Sequence, residues 1–449
     1  MASAAEQLAA NLNLGAFAKA TELKKRIWFT LGALIVYRLC TYIPLPGIDT
    51  EAMRTIFQQA QGGVLGMFNV FSGGALERMS IIALNIMPYI SASIIVQLLT
   101  SMSPTFAQLK KEGESGRKKL NQYTRYGTVL LTAVQAYALA RGLEGWGGAG
   151  GVSAVIDPGL FFRASTVITL VGGTMFLMWL GEQITSRGVG NGISLIIMAG
   201  IVAELPRAMA GTLELGRTGA LSGTLILGLI ILMVAVIVGI VYMERAQRRV
   251  LIQYPKRQVG NKMFQGDTSH MPLKLNTAGV IPPIFASSLL LMPATMAGFS
   301  AQGGGPEWIN TINAYLGHGQ PLYMALYAAL IIFFCFFYTA VVFNPEDTAD
   351  NLKRYGGFIP GIRPGARTAE YLDYVLTRLT LVGAIYMVII CLIPEFLTSR
   401  FAVPFYFGGT SLLIVVNVTM DTVGQIHGHL MAHQYEGLIK KSKLRGSRR

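Results

Sequence analysis

The feature that most limits what this chain can become is a series of apolar runs, each roughly twenty residues long, that begins near Trp28 and repeats with short connections. As helices, runs of that length match the hydrocarbon thickness of a bilayer, where a helix satisfies its own backbone groups. They lie near 25–43, 79–101, 122–142, 160–182, 190–210, 220–243, 276–298, 321–343, 372–394 and 403–425. The pattern predicts an all-α polytopic membrane protein with ten transmembrane helices in one integral domain. Only 13% of the 449 residues are charged and 52% are hydrophobic, which excludes a soluble enzyme. The third and fifth runs are weak: GTVLLTAVQAYALA carries Gln135, and ISLIIMAGIVA is short. Such helices are expected to be surrounded by protein or to line a cavity.

An even number of spans puts both ends on one side. Of the 37 Lys and Arg, 29 fall on that side, seven lie in the opposite loops, and Arg38 sits inside the first run. This asymmetry predicts cytoplasmic termini. The first residues, 1–24, lack an apolar core followed by a small-residue cleavage site and are expected to be a retained cytoplasmic segment. A basic tail occupies 426–449.

The stretch SGGALERMSIIALNIMPYISASIIVQLL, Ser72 to Leu99, is too long and too broken for one ordinary span. Two glycines, a Glu-Arg pair and a proline interrupt it. Its PYISASII, from Pro88, is echoed by PIFASSLL, from Pro283, in the second span of the last five. Eight residues are compatible with chance. Their matching positions favour two inverted five-helix halves, 25–211 and 212–425, with a hinge near Gly211 to Gly223. Interrupted helices in matching places usually mark the pathway. Charges within or beside the spans, Arg38, Glu182, Glu204, Glu244 and Asp421, fall near span ends, and the middle is isoleucine. Ile86 and Ile90 are four apart, hence on one helical face, as are Ile193 and Ile197. From the pattern alone, such a stripe is ordinarily packing or lipid contact.

The strings FSGGALERMSIIALNIMPYISASIIVQLL, KKEGESGRKKLNQYTRYGT, FLMWLGEQITSRGVGNGIS, AGVIPPIFASSLL, FFCFFYTAVVFNPEDTADNLKRYGGFIPGIRPG and VPFYFGGTSLLIVV closely resemble the SecY family, channel subunits of the bacterial Sec protein translocase. The resemblance runs in order from about Leu23 to Tyr435. It implies a clamshell of two five-helix halves and a second helix split into a plug, here about 62–78, and a longer second part. Plug residues would include Gly62, Gly63, Phe68, Asn69, Phe71, Ser72, Gly73 and Gly74; glycines suit a segment that docks and swings away. The pore ring would comprise Ile86, Ile90, Ile193 or Ile197, Ile281 or Leu289, and Ile414. A narrow aliphatic ring disfavours water and ions without imposing hydrogen bonds on a passing polypeptide.

The same resemblance implies a lateral seam between the second and third spans and the seventh and eighth. Ser91, Ser93, Gln97, Ser287 and Ser288 are the candidates to close it weakly. The long loops 245–275 and 344–371 would dock the ribosome or the motor ATPase SecA through Arg248, Arg249, Lys256, Arg257 and Arg363. Basic groups suit ribosomal RNA phosphates, and the formal charge of +14 fits that role. SecE and SecG subunits, signal peptides, nascent chains and membrane lipids complete the implied partners, in a bacterial plasma (inner) membrane.

No G-x-x-x-x-G-K-[ST] loop occurs, and RGVGNGIS has no strand before it. Cys40, Cys335 and Cys391 are far apart within apolar runs, and His427, His429 and His433 lie toward the tail. Neither catalysis nor a metal or cofactor is expected. An ion-coupled solute transporter and a scaffold that only recruits ribosomes are the other readings. The first is disfavoured by the scarcity of midplane charge.

Overall fold

The computed structural model describes residues 21–59, 64–145, 153–219, 222–255, 257–259, 262–264, 268–290, 315, 320–401 and 409–446. Helices α1 (Thr21–Cys40), α2 (Thr50–Gln59), α3 (Val64–Ser72), α4 (Met87–Met102), α5 (Pro104–Lys111), α6 (Glu114–Gly145), α7 (Leu160–Arg187), α8 (Gly192–Arg217) and α9 (Gly223–Arg245) come first. Four strands follow, β1 (Gln247–Gln253), β2 (Arg257–Val259), β3 (Lys262–Phe264) and β4 (Thr268–Lys274). Helix α10 is described over Ile281–Leu290. The chain continues through α11 (Pro321–Val342), α12 (Pro345–Arg354), α13 (Ala366–Phe401) and α14 (Gly409–Gly446).

Five of these helices are long and apolar enough to cross a membrane: α7, α8, α9, the run Pro321–Arg354 formed by α11 with α12, and α13 over Ala366–Leu397. Helices α4 and α5, bent by 99° at the break between them, make a sixth if counted as one span. Among the described residues, that accounts for five or six of the ten expected. Among the remainder, α1 carries Arg38, α6 carries Gln135, and α14 carries Asn417 and Asp421 within their apolar stretches.

Helix α6 packs on α7 and α4, α8 on α7 and α14, and α13 on α11 and α14. One large apolar cluster runs through these contacts, from Tyr37 through Leu170 and Ile240 to Tyr327 and Leu413. Close approach is possible where side chains are absent. A Cβ on Gly192 of α8 would lie 2.0 Å from the Gly181 carbonyl of α7, and one on Gly173 would lie 2.0 Å from the Ile81 carbonyl. Small residues at helix contacts are what membrane interiors favour, because lipid leaves packing as the main attraction between helices. The outer surfaces of α7 and α9 expose Ile168, Ile231, Val234 and Val238, an apolar exterior suited to hydrocarbon.

The two long loops hold more structure than their charge suggests. Strands β1 and β4 pair antiparallel, Val250 opposite Met271 and Leu251 opposite His270. The second loop joins them: Gln253 and Phe358 exchange backbone hydrogen bonds of 2.9 Å in both directions. Beneath this bridge lies a separate apolar cluster of Val250, Leu273, Ile359, Leu372 and Val375. The pieces share one small core and should open together. Replacing Val250 with Asp buries a charge in that core. Protease cleavage within 344–365 is then expected to rise along with that in 247–274, each by about tenfold. Cleavage confined to 247–274 would refute the shared core.

Candidate functional site

Between α3 and α4, residues 73–86 run as turns rather than helix, so the second apolar run does not become helical until Met87. Pro88 lies in the first turn of α4, where its missing N–H has no helical partner to lose. Before it, Met79 and Asn85 adopt positive φ angles of 46° and 50°, and Gly73 and Gly74 have 65° and 79°. Such backbone is costly for Met and tolerated better by Asn and Gly. Nearly all of this segment is buried, with only Arg78 and Ile81 partly exposed.

Helix α3 packs on α8. The contact is closest at Gly200, where a Cβ would lie 2.8 Å from the Phe71 carbonyl and 3.0 Å from the Tyr37 hydroxyl. A Cβ on Gly73 would in turn come within 2.9 Å of the Gly200 backbone. Polar side chains then hold the end of α3. Asn85 Nδ2 donates to the Phe71 carbonyl at 2.6 Å, and Tyr37 donates to that of Ser72 at 3.5 Å. The Gly73 carbonyl accepts from Arg38 at 2.5 Å and from Arg78 at 3.0 Å. Both guanidiniums lie over the Tyr42 ring, 5.2 Å and 4.3 Å from its centre. Arg38 inside an apolar run is explained by this seat.

Glu77 is the buried carboxylate of the polar network, its side chain 4% exposed. Arg207 of α8 grips it with two bonds of 2.7 Å and 3.0 Å, and Arg54 of α2 stands 3.9 Å away. Its backbone N–H donates to Asn69 Oδ1 of α3 at 3.0 Å, while Asn69 Nδ2 donates back to the carboxylate at 3.5 Å. Burial pushes the Glu77 carboxyl up, but the bonds from Arg207 and Asn69 and the charges of Arg207 and Arg78 outweigh it, so it is held below the usual carboxylate range. A depressed value makes this contribution complete above the ordinary carboxylate range, near ~4.3, and removes it as pH falls through the depressed value. Thermal unfolding of Glu77→Gln should accordingly differ from that of the unchanged chain at neutral pH and converge with it in acid. A constant difference at every pH would contradict this.

Directly below, Phe71, Asn85, Ile86, Met87, Ile90, Ile197 and Ile284 enclose an apolar cavity. Only about 10 Å³ of it is open to the centre of a water molecule, around the least that one water needs. Ile86 and Ile90 line it together, as their helical spacing predicts. Ile197 joins from α8, whereas Ile193 packs toward Gly181 of α7, 3.1 Å from a Cβ placed there. Asn191 fixes this register by capping α8, accepting from the Ile193 and Ser194 amides. On α10 the lining residue is Ile284, which the sequence reading did not name. Ile281 packs partly buried against the large cluster, and Leu289 is 42% exposed. Five residues from Ile284 is about 140° around a helix, so Leu289 points away from the cavity. Ile414 of α14 is fully buried in the same apolar cluster.

Of the seam candidates, Ser91, Ser93 and Ser287 bond within their own helices: Ser91 to the Met87 carbonyl, Ser287 to the Ile284 carbonyl, and Ser93 to Gln97. Ser288 reaches across, its hydroxyl 3.6 Å from the Met87 sulfur of α4. Arg248, Arg249 and Arg363 are exposed on the joined loops. Gly62, Gly63, Lys256 and the side chain of Arg257 lie outside the described residues, while Phe68, Asn69, Phe71, Ser72, Gly73 and Gly74 all fall in the buried seat.

The SecY family model matches residues 80–423. The chain is 57% identical over 425 residues to the protein translocase subunit SecY of Escherichia coli K12, covering 95% of this chain and 96% of that one. It belongs to the SecY family. The SecY of Pseudomonas aeruginosa is 55% identical, with 95% of each chain covered. A solved protein-conducting channel shares the fold at a TM-score of 0.63 and 18% identity, covering 91% of this chain and 92% of that one. The Sec61 of a canine ribosome–channel complex from the endoplasmic reticulum does so at 0.60 and 17%, with the same coverage. As a SecY family member the chain is a multi-pass membrane channel protein and a protein translocase subunit.

Sequence reasoning missed Tyr37, Asn85, Gly200, Arg207 and Ile284. The Glu-Arg pair at 77–78 was visible as an interruption, but its partner on α8 was not. Because Gly200 meets backbone atoms at the end of α3 and in the turn after it, Gly200→Val should push α3 off its seat, at about 1–3 kcal/mol for overpacking. The readout is maleimide labelling of a cysteine placed at Ser72, which is otherwise 1% exposed. Labelling no faster than in the Gly200 parent would show that the seat does not depend on this contact.

Proposed function

We propose that this chain conducts unfolded secretory polypeptides across the membrane and releases apolar segments sideways into the bilayer, passively, with driving force supplied by partners. The observation that carries the reading is the small cavity lined by Ile86, Ile90, Ile197 and Ile284 against the end of a docked short helix, which we read as a closed constriction. A collar of Ile86, Ile90, Ile197 and Ile284 offers a passing chain no hydrogen bonds and gives ions no substitute for hydration. It discriminates by width alone. Ile193, Ile281, Leu289 and Ile414 are the neighbouring aliphatic positions that could enter a widened ring. Helix α3 with the turns after it, about 62–78, acts as the plug.

In this reading ten spans form two inverted five-helix halves, 25–211 and 212–425, with both termini cytoplasmic in a bacterial inner membrane. The excess of Lys and Arg on one side supports that orientation. The seam runs between α4 with α6 and α10 with α11, and Ser288 against Met87 is one of its contacts. The joined loops present Arg248, Arg249 and Arg363 to a ribosome or to SecA, with Lys256 and Arg257 beside them. SecE would brace the halves, and SecG would accompany it. No catalytic step is assigned to the chain.

Two measurements test this. Replacing Ile86 and Ile90 with glycine removes the narrowest aliphatic groups and should raise resting ion leak through the reconstituted complex by about tenfold or more. A stalled secretory chain should crosslink to a photoreactive residue placed at position 86 or 90 during translocation. Absence of that crosslink while precursor is being translocated would defeat the channel reading.

A further inference from the structure

The contacts around α3 differ in kind. Gly200 and Phe71 supply shape, and Asn85, Arg38 and Arg78 bond backbone carbonyls that any sequence would offer. Glu77 is different, because its carboxylate joins two elements by bonding side chains on both. Its amide donates to Asn69 Oδ1 of α3, and its carboxylate accepts from Asn69 Nδ2 at Oε2 and from the two terminal nitrogens of Arg207 on α8 at Oε2 and Oε1. Asn69 is 8% exposed, so the reciprocal pair between it and Glu77 is sheltered.

The two ends of the ion pair are also unequal. The Glu77 side chain is 4% exposed and that of Arg207 is 49% exposed. A buried carboxylate strongly requires its partner, since removing the partner leaves a charge without compensation. The arginine, half in solvent, can be rehydrated at small cost. Arg54 at 3.9 Å and Glu204, 4.0 Å from Arg207, border the pair on α2 and α8. A broad opening of about 580 Å³, lined by Tyr42, Arg54, Glu77 and Arg78 among others, leads to this spot. Water reaches Glu77 from this opening and Arg207 through its own exposed face, in neither case past Ile86 or Ile90.

We propose that Glu77 and Arg207 form a latch that couples the plug-bearing segment to α8 and sets how often the resting channel opens. This rests on the channel reading above and adds the residues that regulate its closed state. Glu77 is a positioning residue: it acts through Asn69 on α3 and touches neither the constriction nor a passing chain. When the plug leaves, the carboxylate enters the water-filled opening and the arginine keeps its solvent-facing side, so the latch releases without stranding a charge.

The test uses the assembled translocase reconstituted in vesicles, with Glu77→Gln, Arg207→Gln, the double variant and Arg207→Lys. The readouts are resting chloride leak, labelling of a cysteine at Ser72 by a membrane-impermeant maleimide, and transport of a secretory precursor. Each glutamine variant should raise leak and labelling about tenfold, the scale of one lost charge-assisted contact. The double variant should do no more than either single one, because both remove the same interaction. Arg207→Lys should restore most of the closure, which a merely space-filling role would not require. Multiplied effects in the double variant, leak equal to the unchanged channel in both singles, or no recovery with lysine would each overturn the latch. If Glu77→Gln fails to assemble, the Arg207 pair of variants decides the matter by the same readouts. Precursor transport should persist in every variant that assembles. Its absence from the unchanged complex would count against the channel reading instead, so the two failures are distinguishable.

Discussion

Fourteen residues of non-helical backbone, 73–86, lie almost wholly inside the protein, and everything around the site answers to the need to satisfy them. A helix would supply its own hydrogen bonds; a string of turns cannot, and irregular backbone within a membrane protein persists only where protein or a wet cavity supplies partners. The partners are specific. Leu45 donates to the Met79 carbonyl and Ile81 to that of Ile43, so the loop after α1 pairs with the segment like a short strand. Arginines 38 and 78 and Asn85 cover carbonyls that turns leave open. An apolar chain that carries arginines and a glutamate at this place is meeting a backbone requirement, which is why those charges coexist with a dry constriction a few residues away.

Separating the polar seat from the apolar collar lets each perform a task the other would spoil. A charged collar would attract ions and impose bonding on any polypeptide passing it. An entirely apolar seat would hold the short helix by area alone, and apolar area gives neither register nor a defined release point. Here Asn85 bridges the two regions: its amide nitrogen holds Phe71 while the residue also lines the cavity beside Ile86. Movement of α3 therefore alters the roof of the constriction directly, with no intermediary element.

Much of this was legible in the sequence, and the parts that were not share a cause. A spacing of four placed Ile86 and Ile90 together because it is local: Ile86 stands just before α4, and its carbonyl accepts from the Ile90 amide in the first helical turn. The break before Pro88 was visible in the glycines and the proline. The choice between Ile193 and Ile197, and between Ile281, Leu289 and the unnamed Ile284, depends on how α8 and α10 rotate against α4, which no single helix encodes. Gly200 looks like any glycine in an apolar helix until α3 lies on it. The paired strands β1 and β4 were read only as part of a charged loop, since their alternation is short and the buried positions are just Val250 and Ile252 on β1 and Leu273 on β4. Glu77 and Arg207 are 130 positions apart, beyond any local pattern.

The seam proposed between α4 with α6 and α10 with α11 follows the same logic of like exchanged for like. Its serines mostly bond their own helices, as Ser91 and Ser287 do, leaving few polar contacts to break across it. Ser288 against the Met87 sulfur is a weak, adaptable contact, and methionine repacks readily around varied shapes. Phe285, edge-on to Phe334 of α11 at 5.7 Å, packs α10 against α11, the two helices proposed as one side of the seam. On the proposed reading, an entering apolar helix replaces contacts that are themselves apolar, so opening sideways requires little net change in packing, whereas a polar segment would leave its own groups unsatisfied against the same surfaces. Selectivity at the seam then needs no recognition residue: it comes from the difference between what apolar and polar chains lose on leaving water.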